Sequence, residues 1–196
     1  MAGSWLEVSL SGETMRFPLI RSARRTLALE LFGETILIRA PRLMSETRIR
    51  SMVQEKEHWI RQHLKRIDRT RQEAGEPLSE AELLTLKQHG KTVFAQRAAY
   101  YAQKIGVTYG TITVRTQKSR WGSCSAAGNL SFNCLLLLAP PEVLDSVVVH
   151  ELCHRLHMDH SPAFYREVLR VFPEYGKHNA WLKQHGAALL LRAGKN

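Results

Sequence analysis

Residues 141–156 are apolar on nearly every side of a helix, yet His150, Glu151 and His154 interrupt them. Pro141 suits a first helical turn, where its missing N–H costs nothing. Glu142 and Asp145 fall near the positive end of the helix dipole. Val143, Leu144, Val147, Val148, Val149, Leu152 and Leu156 then cover almost the whole circumference. A helix that is apolar all round has to be buried, so the rest of the chain must wrap it. His150, Glu151 and His154 break the pattern, and buried polar groups need partners. Two histidines at i and i+4 share a helix face and reach a common metal ion. Glu151 lies beside them, placed to take a proton from water on that ion. This is the H-E-x-x-H arrangement of zinc hydrolases.

A catalytic zinc usually takes three protein ligands and keeps one position open. His157 and His160 compete for the third place. If the helix continued, His157 would stand about 10 Å along the axis from His150, too far to share an ion. His160 escapes that objection if the helix ends first. Ser161 is a good N-cap and Pro162 a good first-turn residue for a new helix over 163–172, so the chain must turn near His160. His160 is therefore the expected third ligand, with Glu174 and His178 as later candidates. Tyr165, Tyr175 and His178 are candidate donors to a developing oxyanion.

The remaining chain reads as α+β. Residues 5–10, 15–19, 26–32 and 35–39 are short β-prone runs, punctuated by Gly12 and by Gly33-Glu34. Ser45 offers an N-cap for one amphipathic helix over 46–71. A polar break with Gly75 and Pro77 follows. Ser79 and Glu82 form a capping box for a helix that ends at Gly106. Residues 111–116 and 130–134 read as strands of a small antiparallel sheet, with a turn at 126–129, and the C-terminus is helical. The expected division is 1–75, strands plus an amphipathic helix, and 76–196, the region that carries the motif, the two forming one compact unit.

Lys plus Arg number 28 against 18 for Asp plus Glu, a net charge of +10. Such a surface attracts polyanions, so nucleic acid is a possible partner. The basic residues are nevertheless spread out; the densest groups, 21–25 and 65–71, are small. Cys124, Cys134 and Cys153 are odd in number and form no C-x-x-C pair, which argues against a disulfide framework or a four-cysteine zinc ribbon. No apolar run is long enough to span a membrane, and the first residues lack the pattern of a secretory signal. The expected setting is cytoplasmic.

Five blocks, in one order, carry a family resemblance. They are Arg120-Trp121-Gly122-Ser123-Cys124-Ser125, Gly128-Asn129-Leu130-Ser131-Phe132-Asn133, Leu138-Ala139-Pro140-Pro141-Glu142-Val143, Val149-His150-Glu151-Leu152-Cys153-His154 and Met158-Asp159-His160-Ser161-Pro162-Ala163-Phe164-Tyr165. Together they resemble the YgjP-type metal-dependent hydrolases, predicted zinc metallopeptidases related to SprT and WLM-type proteases. The resemblance covers essentially the whole chain. It implies a zincin-like fold, Zn2+ held by His150, His154 and His160, and a catalytic Glu151. It also implies that Leu130, Phe132 and Asn133 lie on a wall of the cleft where an extended peptide pairs. Trp121 and Gly122 are read either as the cleft floor or as a core anchor and a tight turn. The cysteine-based ribbon of SprT relatives is absent, which weakens any transfer of a DNA-linked role.

Three functions follow as alternatives. The first is a zinc peptidase acting on peptides or proteins. The second is a metal-dependent hydrolase of a nucleotide or phosphate ester. That chemistry often recruits a second metal held by carboxylates; with Asp only at 68, 145 and 159, no acidic cluster adjoins the motif. The third is a nucleic-acid-associated protein with a structural zinc, which would need a closed four-ligand site.

Overall fold

The computed structural model describes residues 4–32 and 34–194. Gly33, one of the expected turn residues, lies outside them. The chain divides into two compact units, Met1–Arg69 and Thr70–Asn196.

In the first unit, β1 (Ser4–Leu10), β2 (Glu13–Ser22), β3 (Ala28–Phe32) and β4 (Thr35–Pro41) form one sheet in the order β1-β2-β4-β3. The β1–β2 hairpin turns through Ser11 and Gly12, both at positive φ, the backbone that tight hairpins demand. Alternate residues Leu6, Val8 and Leu10, with Phe17, Leu19, Ile36, Ile38 and Ala40, face inward, as period-2 patterning requires. Ile49, Val53 and Ile60 complete that core.

The single helix expected over 46–71 is two: α1 (Glu46–Gln54) and α2 (Glu57–Ala74). In phase after Val53, the inward positions would fall on Lys56 or Glu57, which are charged. The backbone tightens there, Lys56 N–H bonding the Val53 carbonyl three residues back at 3.0 Å, and Ile60 resumes the buried face. Arg21, from the first basic group, spends its guanidinium on the carbonyls of Pro41, Arg42 and Met44 at 2.6–3.3 Å. It acts as a clamp on the turn into α1.

The second unit is built on α3 (Glu80–Ile105). Its start is the expected capping box of Ser79 and Glu82, and its end is Gly106 in the left-handed region at φ 82°. Gly90 in mid-helix has a packing reason. A Cβ there would stand 3.0 Å from Val114 Cγ1, so the glycine lets the helix lie close on β5 (Ile112–Arg115). Then come β6 (Gly122–Cys124), β7 (Leu130–Asn133), a 3-10 turn (Cys134–Leu138), α4 (Pro141–Cys153), α5 (Pro162–Val171) and α6 (Tyr175–Leu191). No helix among the described residues is long and apolar enough to cross a membrane.

The α+β class, with a strand-rich N-terminus, a small sheet on the motif helix and a helical end, holds. The small sheet, however, is mixed rather than antiparallel. Its order is β5-β7-β6, with β6 antiparallel and β5 parallel to β7. The reason is geometric. β6 and β7 form the hairpin, which leaves the far side of β7 for β5, and β5 pairs there in the parallel sense.

Phe94, Phe132, Leu135, Leu136, Val148, Val149, Leu152 and Phe164 form the centre of this core, all fully buried. Phe132 stacks on Phe94 with centroids 4.6 Å apart. Asp145 on α4 is also buried, and its carboxylate is matched. Arg97 Nε donates at 2.6 Å, the same guanidinium meets the other oxygen, and the Tyr101 hydroxyl donates at 3.1 Å. Cys134 and Cys153 are buried and Cys124 half-buried, all three as free thiols.

Truncating Phe132 to Ala removes a fully buried ring. It is expected to cost about 3–5 kcal/mol, read as a lowered urea midpoint of the second unit.

Candidate metal centre

The α4 helix places its polar residues at its last turn. It ends at Cys153, and His154 caps it with αR geometry. Arg155 N–H and Leu156 N–H then bond the carbonyls of Leu152 and Cys153, each three residues back. That tight turn reverses the chain within a few residues. Asp159 Oδ1 accepts from Ser161 N–H at 3.3 Å, and Ser161 in turn caps α5 by accepting from Phe164 N–H. The reversal expected before His160 is therefore present, built from a 3-10 turn and two short side-chain bonds.

Its result is a cluster. One ring nitrogen each of His150, His154 and His160 lie within 4.8 Å of one another, the only such group of metal-type donors among the described residues. His150 Nε2 and His160 Nε2 stand 3.1 Å apart. Two imidazoles sharing a tetrahedral zinc at ordinary bond lengths would be about 3.3 Å apart. The outer nitrogens of His150 and His154 are already engaged. His154 Nδ1 lies 3.0 Å from the His157 carbonyl, and His150 Nδ1 lies 2.9 Å from the Tyr175 hydroxyl. A carbonyl can only accept, so His154 carries its proton on Nδ1 and turns a bare Nε2 inward. Second contacts of this kind fix tautomer and ring orientation in metal sites. Beneath the three rings lies Phe164, fully buried, its centroid 4.9, 4.6 and 5.1 Å from those of His150, His154 and His160.

Electrostatics agree with neutral imidazoles. Burial, then the neighbouring His154 and His160, pushes His150 down to about 4. Burial likewise lowers His154. Neutral imidazole is the form that binds a metal. Glu151 is only 6% exposed. Burial raises its carboxyl to about 7, against the lowering effect of the Cys124 backbone N–H that donates to it. The fit for a borderline transition-metal ion such as zinc is good: three nitrogen donors, a dry apolar floor and no cysteine or carboxylate in the set.

The sequence-predicted residues divide as follows. His150, His154 and His160 come together, with Glu151 next to them. Trp121 and Gly122 line a cleft of about 230 Å³ along with Arg120, His150, Glu151 and Tyr175. Gly122 is bound to that place, since a Cβ on it would stand 2.6 Å from Glu151 Oε1. Trp121 is half-buried and also touches α6, where a Cβ on Gly186 would meet its ring at 2.9 Å. It is both core anchor and cleft wall.

Leu130, Phe132 and Asn133 do not line this cleft. Leu130 and Phe132 alternate into the core, 1% and 0% exposed. Asn133 Nδ2 donates to the carbonyls of Gln117 and Arg120. β7 is moreover the central strand, paired on both sides, so no peptide can add to it. The edge strand beside Glu151 is β6. His178 is buried against Phe172, its Nε2 3.8 Å from Glu174, and neither residue belongs to the triad. Three contributors had escaped the sequence reading: the Phe164 ring, the His157 carbonyl and the contact of Tyr175 with His150. An apolar residue in the first turn of α5, directly after a turn that must deliver a ligand, was the one available signal, and it pointed to Phe164.

Comparison with known families puts the chain among the metallopeptidases. More narrowly, it belongs to the YgjP-like family, whose metallopeptidase-domain model matches residues 25–86 and 80–185. No curated protein matches it. Among solved structures it is similar to the metallopeptidase zymogen abylysin of Pyrococcus abyssi, with 22% identity and a TM-score of 0.42, over 46% of this chain and 93% of that one. The metallopeptidase zymogen jannalysin of Methanocaldococcus jannaschii is similar at 18% identity and a TM-score of 0.42, over 46% of this chain and 94% of that one.

Gly122→Ala is expected to push the Glu151 carboxylate off its present position while leaving the three histidines in place. Peptide hydrolysis should fall at least about 100-fold, the scale of losing a positioned acid–base group, with metal content by mass spectrometry unchanged.

Proposed function

We propose that the protein is a zinc-dependent peptidase in which His150, His154 and His160 hold the ion and Glu151 is the general base. The observation that carries this reading is the convergence of three imidazole nitrogens beside a buried carboxylate, with the outer nitrogens of His150 and His154 already bonded. When bound, the ion would lower the pKa of a coordinated water and polarise the scissile carbonyl.

The chain's own residues do the rest. Glu151 takes the proton of the attacking water and returns it to the leaving amine. The Cys124 N–H holds that carboxylate in place, and Phe164 keeps the floor of the site dry. Of the three oxyanion candidates, Tyr175 lines the cleft. With His150 Nδ1–H donating to its oxygen, the phenol hydrogen is free to point at the substrate. β6 offers an extended peptide the outward backbone groups of Gly122 and the carbonyl of Cys124, since the inward groups pair with β7. Strand addition to a sheet edge gives main-chain affinity with little demand on side chains.

Phosphoryl chemistry is disfavoured. Such sites often use two metals held by carboxylates, and among the described residues the triad is the one group of metal-type donors.

The deciding experiment measures metal content and cleavage of an unstructured protein together. Glu151→Gln is expected to keep one zinc per chain and lose cleavage by about 1,000-fold or more. His154→Ala is expected to lose the zinc, and chelation to stop the wild-type protein. Cleavage retained in Glu151→Gln would overturn the reading.

A further inference from the structure

The outer face of the small sheet carries a second concavity. Across it, register sets Thr113 beside Ser131 and Ser131 beside Ser123, a row of three hydroxyls spanning β5, β7 and β6. Their neighbours Ile112, Val114, Leu130 and Phe132 turn the other way, toward the core. Arg115, Gln117 and Arg120 extend the row into a depression of about 690 Å³. No carboxylate lines it. Arg39, Arg50, Arg61 and Arg97 pair with acidic residues. Arg115 and Arg120, by contrast, are exposed and form no ion pair with another described residue. A concave surface with two uncompensated guanidiniums and a floor of hydroxyls attracts carboxylates or phosphates.

This surface is continuous with the metal centre. Arg120 lines both this depression and the cleft that holds His150 and Glu151. β6, the edge strand, separates the two. A strand laid on that edge presents alternate side chains to opposite faces of the sheet. One set enters the cleft and the other lies over Ser123.

We propose that this outer face is a specificity subsite for acidic side chains of the peptide substrate, with Arg120 as the near contact and Arg115 acting from two strands further in. The proposal rests on the peptidase reading for its geometry, since it takes β6 as the docking edge. A peptide is favoured over a nucleic acid because the edge offers main-chain N–H and C=O groups, which only a polypeptide backbone pairs in register.

The test uses the zinc-loaded full chain and peptides that differ at one position at a time by Glu, Gln or Lys. Binding is read by fluorescence anisotropy on the Glu151→Gln protein, so it does not depend on turnover; cleavage is read separately on the unaltered protein. Glu peptides are expected to bind about tenfold more tightly than Lys peptides at the responsive position. The preference should shrink as salt rises. It should invert in Arg120→Glu, weaken in Arg115→Glu and survive in Arg120→Lys. Thermal unfolding midpoints check that each variant is folded. Equal binding of Glu and Lys peptides would sink the proposal, as would a preference indifferent to both arginines. Single-stranded oligonucleotide binding with the same arginine dependence and tighter than any peptide would reassign the face to nucleic acid. Acid-selective binding without any cleavage would leave the subsite standing and remove the peptidase reading instead.

Discussion

Helix α4 buries a carboxylate and two imidazoles at the end of an otherwise apolar cylinder, and the second unit is arranged around the cost of doing so. Apolar surroundings penalise charge, so these groups must be neutral, bonded or bound to an ion. The protein supplies the first two itself. Burial holds His150 and His154 in the neutral state. Tyr175 and the His157 carbonyl engage their outer nitrogens. The edge strand gives Glu151 one backbone N–H. The helix solves the same problem differently one and a half turns earlier, where Asp145 is met by Arg97 and Tyr101. The contrast is informative. Asp145 is closed off by a full set of protein partners, whereas Glu151 keeps an open side toward the cleft.

Much of this was legible in the sequence because the decisive signals are local. Ser79 with Glu82, Gly106, and Ser161 with Pro162 mark helix ends through bonds between residues a few positions apart, and such bonds form wherever the chain allows. The motif histidines are legible for the same reason, since a four-residue spacing on a helix is already a distance in space. His160 needed one more step, a chain reversal, and the Ser-Pro start of α5 announced it.

What was not legible depends on pairing between distant segments. β6 is three residues long, Gly122-Ser123-Cys124, without an apolar alternation to mark it. Without it, nothing in the sequence sets β7 between two partners, and the family resemblance alone placed Leu130, Phe132 and Asn133 on the cleft wall. Their burial and the pairing of β7 on both sides overturn that placement, and two large apolar residues on one face of a short strand are the local sign of it. The break between α1 and α2 escaped because Glu55 and Lys56 are good helix formers, and the phase of the buried face overrides propensity. The contact of Tyr175 with His150 arises from three-dimensional proximity that no spacing encodes.

The contact between Gly122 and Glu151 has an evolutionary consequence. A Cβ at position 122 would overlap the Glu151 side chain, so the place of that carboxylate and the sequence of β6 are tied together at one backbone atom. Positions 120 and 123, which line the outer depression instead, carry no such restriction. The seat of the carboxylate is thereby fixed, while the exposed surface one residue away stays open to substitution.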